Sequence, residues 1–275
     1  MRMTAIEQPL PDGSIIHYRR QGNGQPLILL HPLRTQAEYF DAVASRLAER
    51  YLVYTLDLPG HGRSSLTAAN YDEPALRAAV RGFIESTGLT DVTLVGESIG
   101  AVLALTVAAE IPERIARVVS INPYDYGERF AGGIRRSRNG WILSLFRIFG
   151  AYTIETKGAL AAVLRGGFHD PTRLSEQFVR LLDKSGRRAG ARRAEYSIYR
   201  NWRSWIAARE LYGRVRCAID LVYSSDDWSA PVERKANRDL LKPRTFCTIY
   251  DMGHFLSLEN PQSVVTTVLD PVDSD

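Results

Sequence analysis

The stretch from Val92 to Ala109 constrains the fold more than any other part of the chain. Val92-Thr93-Leu94-Val95 is a short apolar run with β-branched residues, the pattern of a strand covered on both faces. It passes without a loop into Gly96-Glu97-Ser98-Ile99-Gly100 and then into Ala101–Ala109, which is rich in Ala, Leu and Val and reads as a buried helix. A strand and a helix that both lack a polar face need cover on every side. A parallel sheet flanked by helices provides it.

The neighbouring sequence repeats this alternation. Ser14–Arg19, after the turn Pro11-Asp12-Gly13, reads as an early antiparallel strand. Pro26–Leu30, Tyr51–Leu56 and Ile115–Ile121 read as buried strands, and residues 36–49 and 73–87 as helices, the second with Pro74 in its first turn and Gly88 as its stop. From residue 127 to 212 the strand rhythm is lost, and amphipathic stretches such as Trp141–Phe149 and Leu174–Leu182 take over. It returns at Ala218–Tyr223, followed by a helix from Pro231 to about Leu241, a strand at Thr245–Tyr250 and a last helix at Gln262–Leu269. The expected organisation is a core of residues 1–126 and 213–275, a mostly parallel sheet flanked by helices, interrupted by a mostly helical cap at 127–212. A chain of 275 residues suits one large domain carrying an insertion.

The net charge of +4 is unevenly spread. Residues 127–213 hold 17 Arg and Lys against seven Asp and Glu, so the rest of the chain is slightly acidic. A solvated helical face accounts for such a bias, and an anionic small-molecule substrate is the functional alternative. No nucleic-acid-binding motif accompanies the charge, so no nucleic-acid partner is expected. The two cysteines, Cys217 and Cys247, lie in apolar runs and read as buried free thiols, and no CxxC pair suggests a metal or redox site. Met1–Pro9 has no apolar segment of the signal-peptide kind, and no run reaches the roughly 18 apolar residues of a membrane span. These features predict a soluble, cytoplasmic protein whose last five residues are loosely ordered.

The segment Gly96–Gly100 has the form G-x-S-x-G in the strand-to-helix setting that gives it meaning. The abrupt turn holds Ser98 in a strained backbone conformation above the carboxyl end of the sheet. Glycines two residues to either side permit the close approach this needs. The helix start offers the Ile99 N–H and a positive dipole end to a developing oxyanion. Glu97, beside Ser98, should point away from the pocket and act as a neighbouring polar support.

Further segments carry a family resemblance. Leu30-His31-Pro32 resembles the His-Gly segment after the third strand of α/β-hydrolases, and Asp57–Ser64 (DLPGHGRS) is similar to their D-x-P-G-x-G-x-S loop. Ile111–Ile115 resembles the P-E-R-V step into the sixth strand, Asp227–Pro231 the acid loop, and Gly253-His254-Phe255 with Glu259-Asn260-Pro261 the histidine loop. In that order these segments cover almost the whole chain. The resemblance implies the α/β-hydrolase fold with a helical cap, Ser98 as nucleophile, His254 as general base and Asp227 as the acid that orients it. Asp226 and Asp125 are the competing acids, and Asp57, His31 and His61 read as loop residues. His17 and His169 read as structural or surface residues. The Leu33 N–H, by resemblance, is the second oxyanion donor beside Ile99. Pro32 departs from the family's glycine, but the donor lies one residue later, so proline's missing N–H is no obstacle.

The implied reaction is acyl transfer without metal or organic cofactor, with a carboxylic ester of a small organic molecule as the default substrate. A serine at the nucleophile position argues against the family's epoxide hydrolases and haloalkane dehalogenases, which use aspartate. The alternatives are cofactor-free C–C bond hydrolysis or lysis of an anionic carbonyl substrate, and a ligand-binding protein on the same scaffold. The cap aromatics Trp141, Phe146, Phe149, Phe168, Tyr196, Tyr199, Trp202 and Trp205 are candidates for the pocket wall, and Arg34 or Arg200 for meeting a substrate carboxylate.

Overall fold

A computed structural model describes residues 4–66, 70–126 and 156–270. Its strands are β1 (Thr4–Pro9), β2 (Ile15–Gly22), β3 (Gln25–Leu30), β4 (Tyr51–Leu56), β5 (Val92–Glu97), β6 (Ile115–Ile121), β7 (Ala218–Ser224) and β8 (Thr245–Ile249). They form one sheet in the order β1-β2-β4-β3-β5-β6-β7-β8. The β1–β2 and β2–β4 pairs are antiparallel, and every other pair is parallel. The chain passes from β3 outward to β4, then crosses back to β5 on the other side of β3. Connections therefore diverge at the carboxyl ends of β3 and β5, where open α/β sheets form their binding crevice.

The helices are α1 (Asp41–Leu47), α2 (Glu73–Ser86), α3 (Ile99–Glu110), α4 (Lys157–Arg165), α5 (Glu176–Gly186), α6 (Ala191–Arg200), α7 (Trp202–Ala207), α8 (Pro231–Leu241), α9 (Leu256–Glu259) and α10 (Pro261–Leu269). Their ends follow from local chemistry. The Asp72 carboxylate accepts from the Ala75 N–H to open α2, and Gly88 leaves it at φ +67°. Asn260 accepts from the Ser263 N–H to open α10. Alternate strand residues then feed two cores. Ile28, Leu30, Leu94 and Val118 pack with Val80, Phe83 and Val102 of α2 and α3 on one face. Leu27, Leu29, Val95 and Val119 pack with Val43, Leu47, Val264 and Val268 of α1 and α10 on the other.

Several expectations need correction. The edge strand β1 was not foreseen, because Thr4–Pro9 has no buried residue and so no apolar signal. The helix expected at 36–49 is a 3₁₀ turn at Ala37–Phe40 followed by α1. Cys217 and Cys247 are free but half-buried rather than buried. Within the expected insertion, residues 156–212 are helical throughout their regular elements. The end of that stretch belongs to the main core, since Trp205 and Tyr212 are fully buried in the cluster around α3. The rest of the expected insertion, including Trp141, Phe146 and Phe149, lies outside the described residues, as do the last five.

Candidate active site

Ser98 ends β5 with φ +61° and ψ −120°, in the sharp turn between strand and helix. Neighbouring groups hold it there. Its N–H donates to the Ile121 carbonyl (3.0 Å), and its own carbonyl accepts from the Tyr124 N–H (3.2 Å). The flanking glycines are steric requirements. A Cβ on Gly96 would collide with the Gly100 carbonyl, and one on Gly100 with the Leu30 carbonyl of β3.

His254 follows β8 and is completely buried. Its Nε2 lies 2.9 Å from Ser98 Oγ, and its Nδ1 lies 2.5 Å from Asp227 Oδ1. With Asp227 ionised, Nδ1 must carry the proton and donate it, which leaves Nε2 as acceptor for the serine hydroxyl. Burial opposes ionisation of Asp227. The hydrogen bond from His254, with donors from Ser229, outweighs it and holds the carboxyl below its ordinary range. The second oxygen, Oδ2, accepts from Tyr126 Oη (3.0 Å), the Ser229 N–H (2.9 Å) and Ser229 Oγ. The imidazole is packed as well as bonded. Trp228 stacks on it at 3.9 Å and 14°, the His254 N–H donates to the Gly167 carbonyl (2.6 Å), and Asn122 Nδ2 donates to the His254 carbonyl (3.1 Å).

The competing acids are occupied elsewhere. Asp226 is exposed and pairs with His169 Nδ1 at 2.6 Å. Asp125 accepts from Tyr212 Oη (2.6 Å) and Asn237 Nδ2 (2.9 Å). Asp57 anchors its loop by accepting from the Ala37 and Arg63 N–H groups and facing His17 Nδ1. The loop histidines are neutral spacers. His31 Nε2 accepts from the Leu58 N–H and its Nδ1 donates to the Pro32 carbonyl, while burial lowers its basicity. Burial, with His31 and Arg34 close by, drops His61 to about 3.

The expected oxyanion donors lie beside Ser98. The Ile99 N–H is the first of α3 and has no acceptor within its own helix. The N–H of Leu33 has no acceptor among the described residues. Its loop is shaped by Thr35, whose N–H and Oγ1 both donate to the Pro32 carbonyl, and by Arg34 in the left-handed region at φ +67°. Leu33 also lines the pocket that opens above Ser98.

That pocket is mainly apolar among the described residues. Its sheet side is made by Pro32, Leu33, Tyr124, Trp228 and Phe255, and its other wall by Leu160, Val163 and Leu164 of α4 and Tyr199 of α6. Of the proposed aromatics, Tyr199 alone among the described residues is in the wall. Phe168 packs on Phe255, Trp205 is buried against the α3 side of the core, and Tyr196 lines a separate surface depression. Arg200 lies in that depression too, over the Tyr196 ring, so it is not placed to meet a substrate at Ser98. Arg34 is in the pocket wall, and its guanidinium is paired with Glu195 of α6. Much of the basic excess nearby is also matched locally. Glu176 faces Lys157, Arg165 and Arg180, Asp183 faces Arg187, and Arg188 donates to the Gly62 and Ser64 carbonyls.

Trp228, Tyr126, Ser229 and Glu195 were not singled out from the sequence. For the first three a signal existed, since each lies a few residues past β6 or β7, at the strand ends where such sites form. Among the described residues, no cluster of three His, Cys, Asp or Glu is placed to hold a metal ion, and no helix is long and apolar enough to cross a membrane.

Comparison with known proteins agrees with this architecture. The (E)-2-((N-methylformamido)methylene)succinate hydrolase of Acinetobacter baylyi is 31% identical over 113 residues, 41% of this chain and 43% of that protein. The 2-hydroxy-6-oxo-6-phenylhexa-2,4-dienoate hydrolase of Comamonas testosteroni is 26% identical over 170 residues, 60% of this chain and 57% of that protein. The matches to these and other curated relatives span from 33% to 57% of those proteins' own length. The crystal structure of wild-type Cfl2 from Burkholderia cenocepacia superposes with a TM-score of 0.83 at 21% identity, covering 98% of this chain and 95% of that one. A model of the alpha/beta hydrolase family matches residues 27–267. The chain is therefore a member of the α/β-hydrolase family.

Proposed function

We propose that the protein is a serine hydrolase that cleaves a carboxylic ester of a small organic molecule through an acyl-enzyme. The observation that carries this reading is the continuous relay from Ser98 Oγ to His254 Nε2 (2.9 Å) and from His254 Nδ1 to Asp227 (2.5 Å), at the foot of an apolar pocket. A serine hydroxyl is a weak nucleophile at neutral pH. In this reading His254 removes its proton as Oγ attacks the ester carbon, and Asp227 stabilises the imidazolium and fixes its tautomer. The N–H groups of Leu33 and Ile99 hold the oxyanion. Collapse of the tetrahedral intermediate breaks the bond to the leaving oxygen, which takes the proton from His254. Water, deprotonated by His254, then attacks the acyl carbon, releases the acid and restores Ser98. The described part of the expected cap supplies the far wall of the pocket through α4 and α6. A cytoplasmic setting is in keeping with the two free thiols.

A second reading, hydrolysis of a C–C bond in an anionic carbonyl substrate, is favoured by the Comamonas relative, whose name specifies a dienoate. The two are separated by pH-profiled assays of p-nitrophenyl esters against vinylogous diketone acids. Turnover of the diketone acids alone removes the ester reading. Ser98→Ala should lower kcat/KM on the order of 10^6-fold without unfolding the protein. Retained activity in that variant removes Ser98 from the mechanism, and wild-type protein that no fluorophosphonate labels favours the ligand-binding scaffold instead.

A further inference from the structure

The loop that carries His254 lies directly against residues 166–170, the segment that leaves α4. The two backbones leave no room for a side chain between them. A Cβ on Gly253 would stand 2.3 Å from the Gly167 carbonyl oxygen and 2.7 Å from the His169 nitrogen, and a Cβ on Gly167 would stand 2.5 Å from Phe255 Cε2. The His254 N–H donates to the Gly167 carbonyl (2.6 Å). Glu259, the last residue of α9, closes the same contact and is buried. Its Oε2 accepts from the N–H of Gly253 (2.6 Å), the residue before His254, and its Oε1 accepts from the Asp170 N–H (2.8 Å). Its main-chain carbonyl accepts from Arg173 Nη1 (2.5 Å). One carboxylate therefore joins the histidine loop to the segment that continues the α4 wall of the pocket. By sequence, Glu259 is only one letter of the histidine-loop resemblance, with no role attached.

From this arrangement we infer that Glu259 is a positioning residue for His254: its carboxylate clasps the histidine loop to residues 166–170 and so fixes where the imidazole stands between Ser98 and Asp227. The inference rests on the reading of His254 as general base and goes beyond it by naming what keeps that base in register. Proton transfer requires hydrogen-bond reach, and a misplacement of about 1 Å can cost about 10^2-fold in rate. A carboxylate suits the task because both donors are backbone N–H groups and both of its oxygens only accept. A glutamine offers one oxygen and one NH2, so one of the two N–H groups would face another donor. An aspartate is one methylene shorter and would not span both donors. The pair of His169 with Asp226 crosses the same contact at 2.6 Å, but it is exposed and screened by solvent. The buried carboxylate is the main tie.

The test compares Glu259→Gln, Glu259→Asp and Gly167→Ala in the full chain with Asp125→Asn, whose buried carboxyl binds Tyr212 and Asn237 outside the relay. Below the unfolding temperature of all four, the first three should lower kcat on p-nitrophenyl butyrate by about 10- to 100-fold with KM within about threefold. Asp125→Asn should leave both constants within a few-fold at a similar loss of Tm, which separates positioning from a merely structural role. A second readout needs no turnover. In protein carrying 15N-labelled histidine at alkaline pH, the two ring nitrogens of His254, assigned by comparison with His254→Gln, report its tautomer. Wild-type protein should hold the proton on Nδ1, and the Glu259 variants should move both nitrogens toward the average of two exchanging tautomers, whereas Asp125→Asn should not. Gly167→Ala loosens the same contact from the other side, so a Glu259 variant that fails to fold leaves the inference open to test. If no ester is turned over but the ring nitrogens move in the Glu259 variants, the clasp stands and the ester reading falls. Ring nitrogens that stay at their wild-type positions, or rate losses no larger than that of Asp125→Asn, overturn the clasp.

Discussion

Asp125 and Asp227 lie just past the ends of adjacent strands β6 and β7, both buried, and each accepts a tyrosine hydroxyl, Tyr212 for one and Tyr126 for the other. Their proton affinities are nevertheless pushed in opposite directions. Burial raises the pKa of Asp125, and the hydroxyl of Tyr212, the amide of Asn237 and the more distant charge of Arg209 do not reverse it. Burial acts on Asp227 with the same sign, but His254 and the Ser229 donors overcome it and keep the carboxylate charged. Position at a strand end and burial therefore do not mark the acid of a relay. In the proposed mechanism, what marks it is a partner that becomes cationic during the reaction.

The strongest test of this contrast is a paired substitution. Asp227→Asn should lower kcat/KM on the order of 10^4-fold, because an amide no longer selects the Nδ1–H tautomer of His254. Asp125→Asn should leave kcat/KM within a few-fold. Its cost falls on stability, about 1–3 kcal/mol in urea unfolding, because the new NH2 faces the NH2 of Asn237. Asp226→Asn, which removes an exposed pair with His169, should change the rate by about threefold at most. A larger rate loss at residue 125 or 226 than at 227 would reassign the acid.

The parts of this contrast that were legible in the sequence are those written locally. Val92–Val95, Ala218–Tyr223 and Thr245–Tyr250 announce their strands by apolar, β-branched runs, and Ser98, Asp227 and His254 each come within five residues of the end of one. By its resemblance to the acid loop, the spacing from Asp227 to Pro231 favours Asp227 over Asp226. The parts that were not legible are set by distant packing. β1 is an exposed edge whose pairing with Arg19 and its neighbours leaves no apolar trace. Glu195 meets Arg34 across 161 residues of sequence, and no local pattern encodes such a pair. Arg200, a neighbour of Glu195 in sequence, faces another depression because helical geometry turns it away.

A third buried carboxyl, Glu97, sharpens the comparison because it stands beside Ser98, the proposed nucleophile, with neither kind of partner. Its Oε2 accepts from Ser257 Oγ (2.5 Å), and its Oε1 has no hydrogen-bond partner among the described residues. Burial pushes its pKa up to about 7, against the opposing bonds from Ser257. The folded state therefore binds this proton more tightly than the unfolded chain does. The stability it contributes is fully present below its ordinary value of 4.5 and is lost as pH rises through about 7. Wild-type protein should accordingly lose thermal stability relative to Glu97→Gln between about pH 5 and about pH 8. Parallel Tm curves for the two proteins across that range would show that Glu97 ionises as readily as an exposed glutamate.

The finest test exchanges the two tyrosines for phenylalanine, since each hydroxyl donates to one member of the aspartate pair. Tyr126 Oη reaches Asp227 Oδ2 at 3.0 Å, and that oxygen also accepts two bonds from Ser229. Loss of one of three donors leaves the carboxylate bonded and His254 in place, so Tyr126→Phe should cost about 1 kcal/mol, seen as roughly a fivefold fall in kcat/KM. Tyr212 Oη reaches Asp125 Oδ2 at 2.6 Å in a network that includes Asn237 and no group of the relay. Tyr212→Phe should remove a similar amount from unfolding free energy and leave the rate unchanged. Equal rate losses in the two variants would mean that the strands transmit strain between the two aspartates, and the independence of neighbouring strand ends would then have to be abandoned.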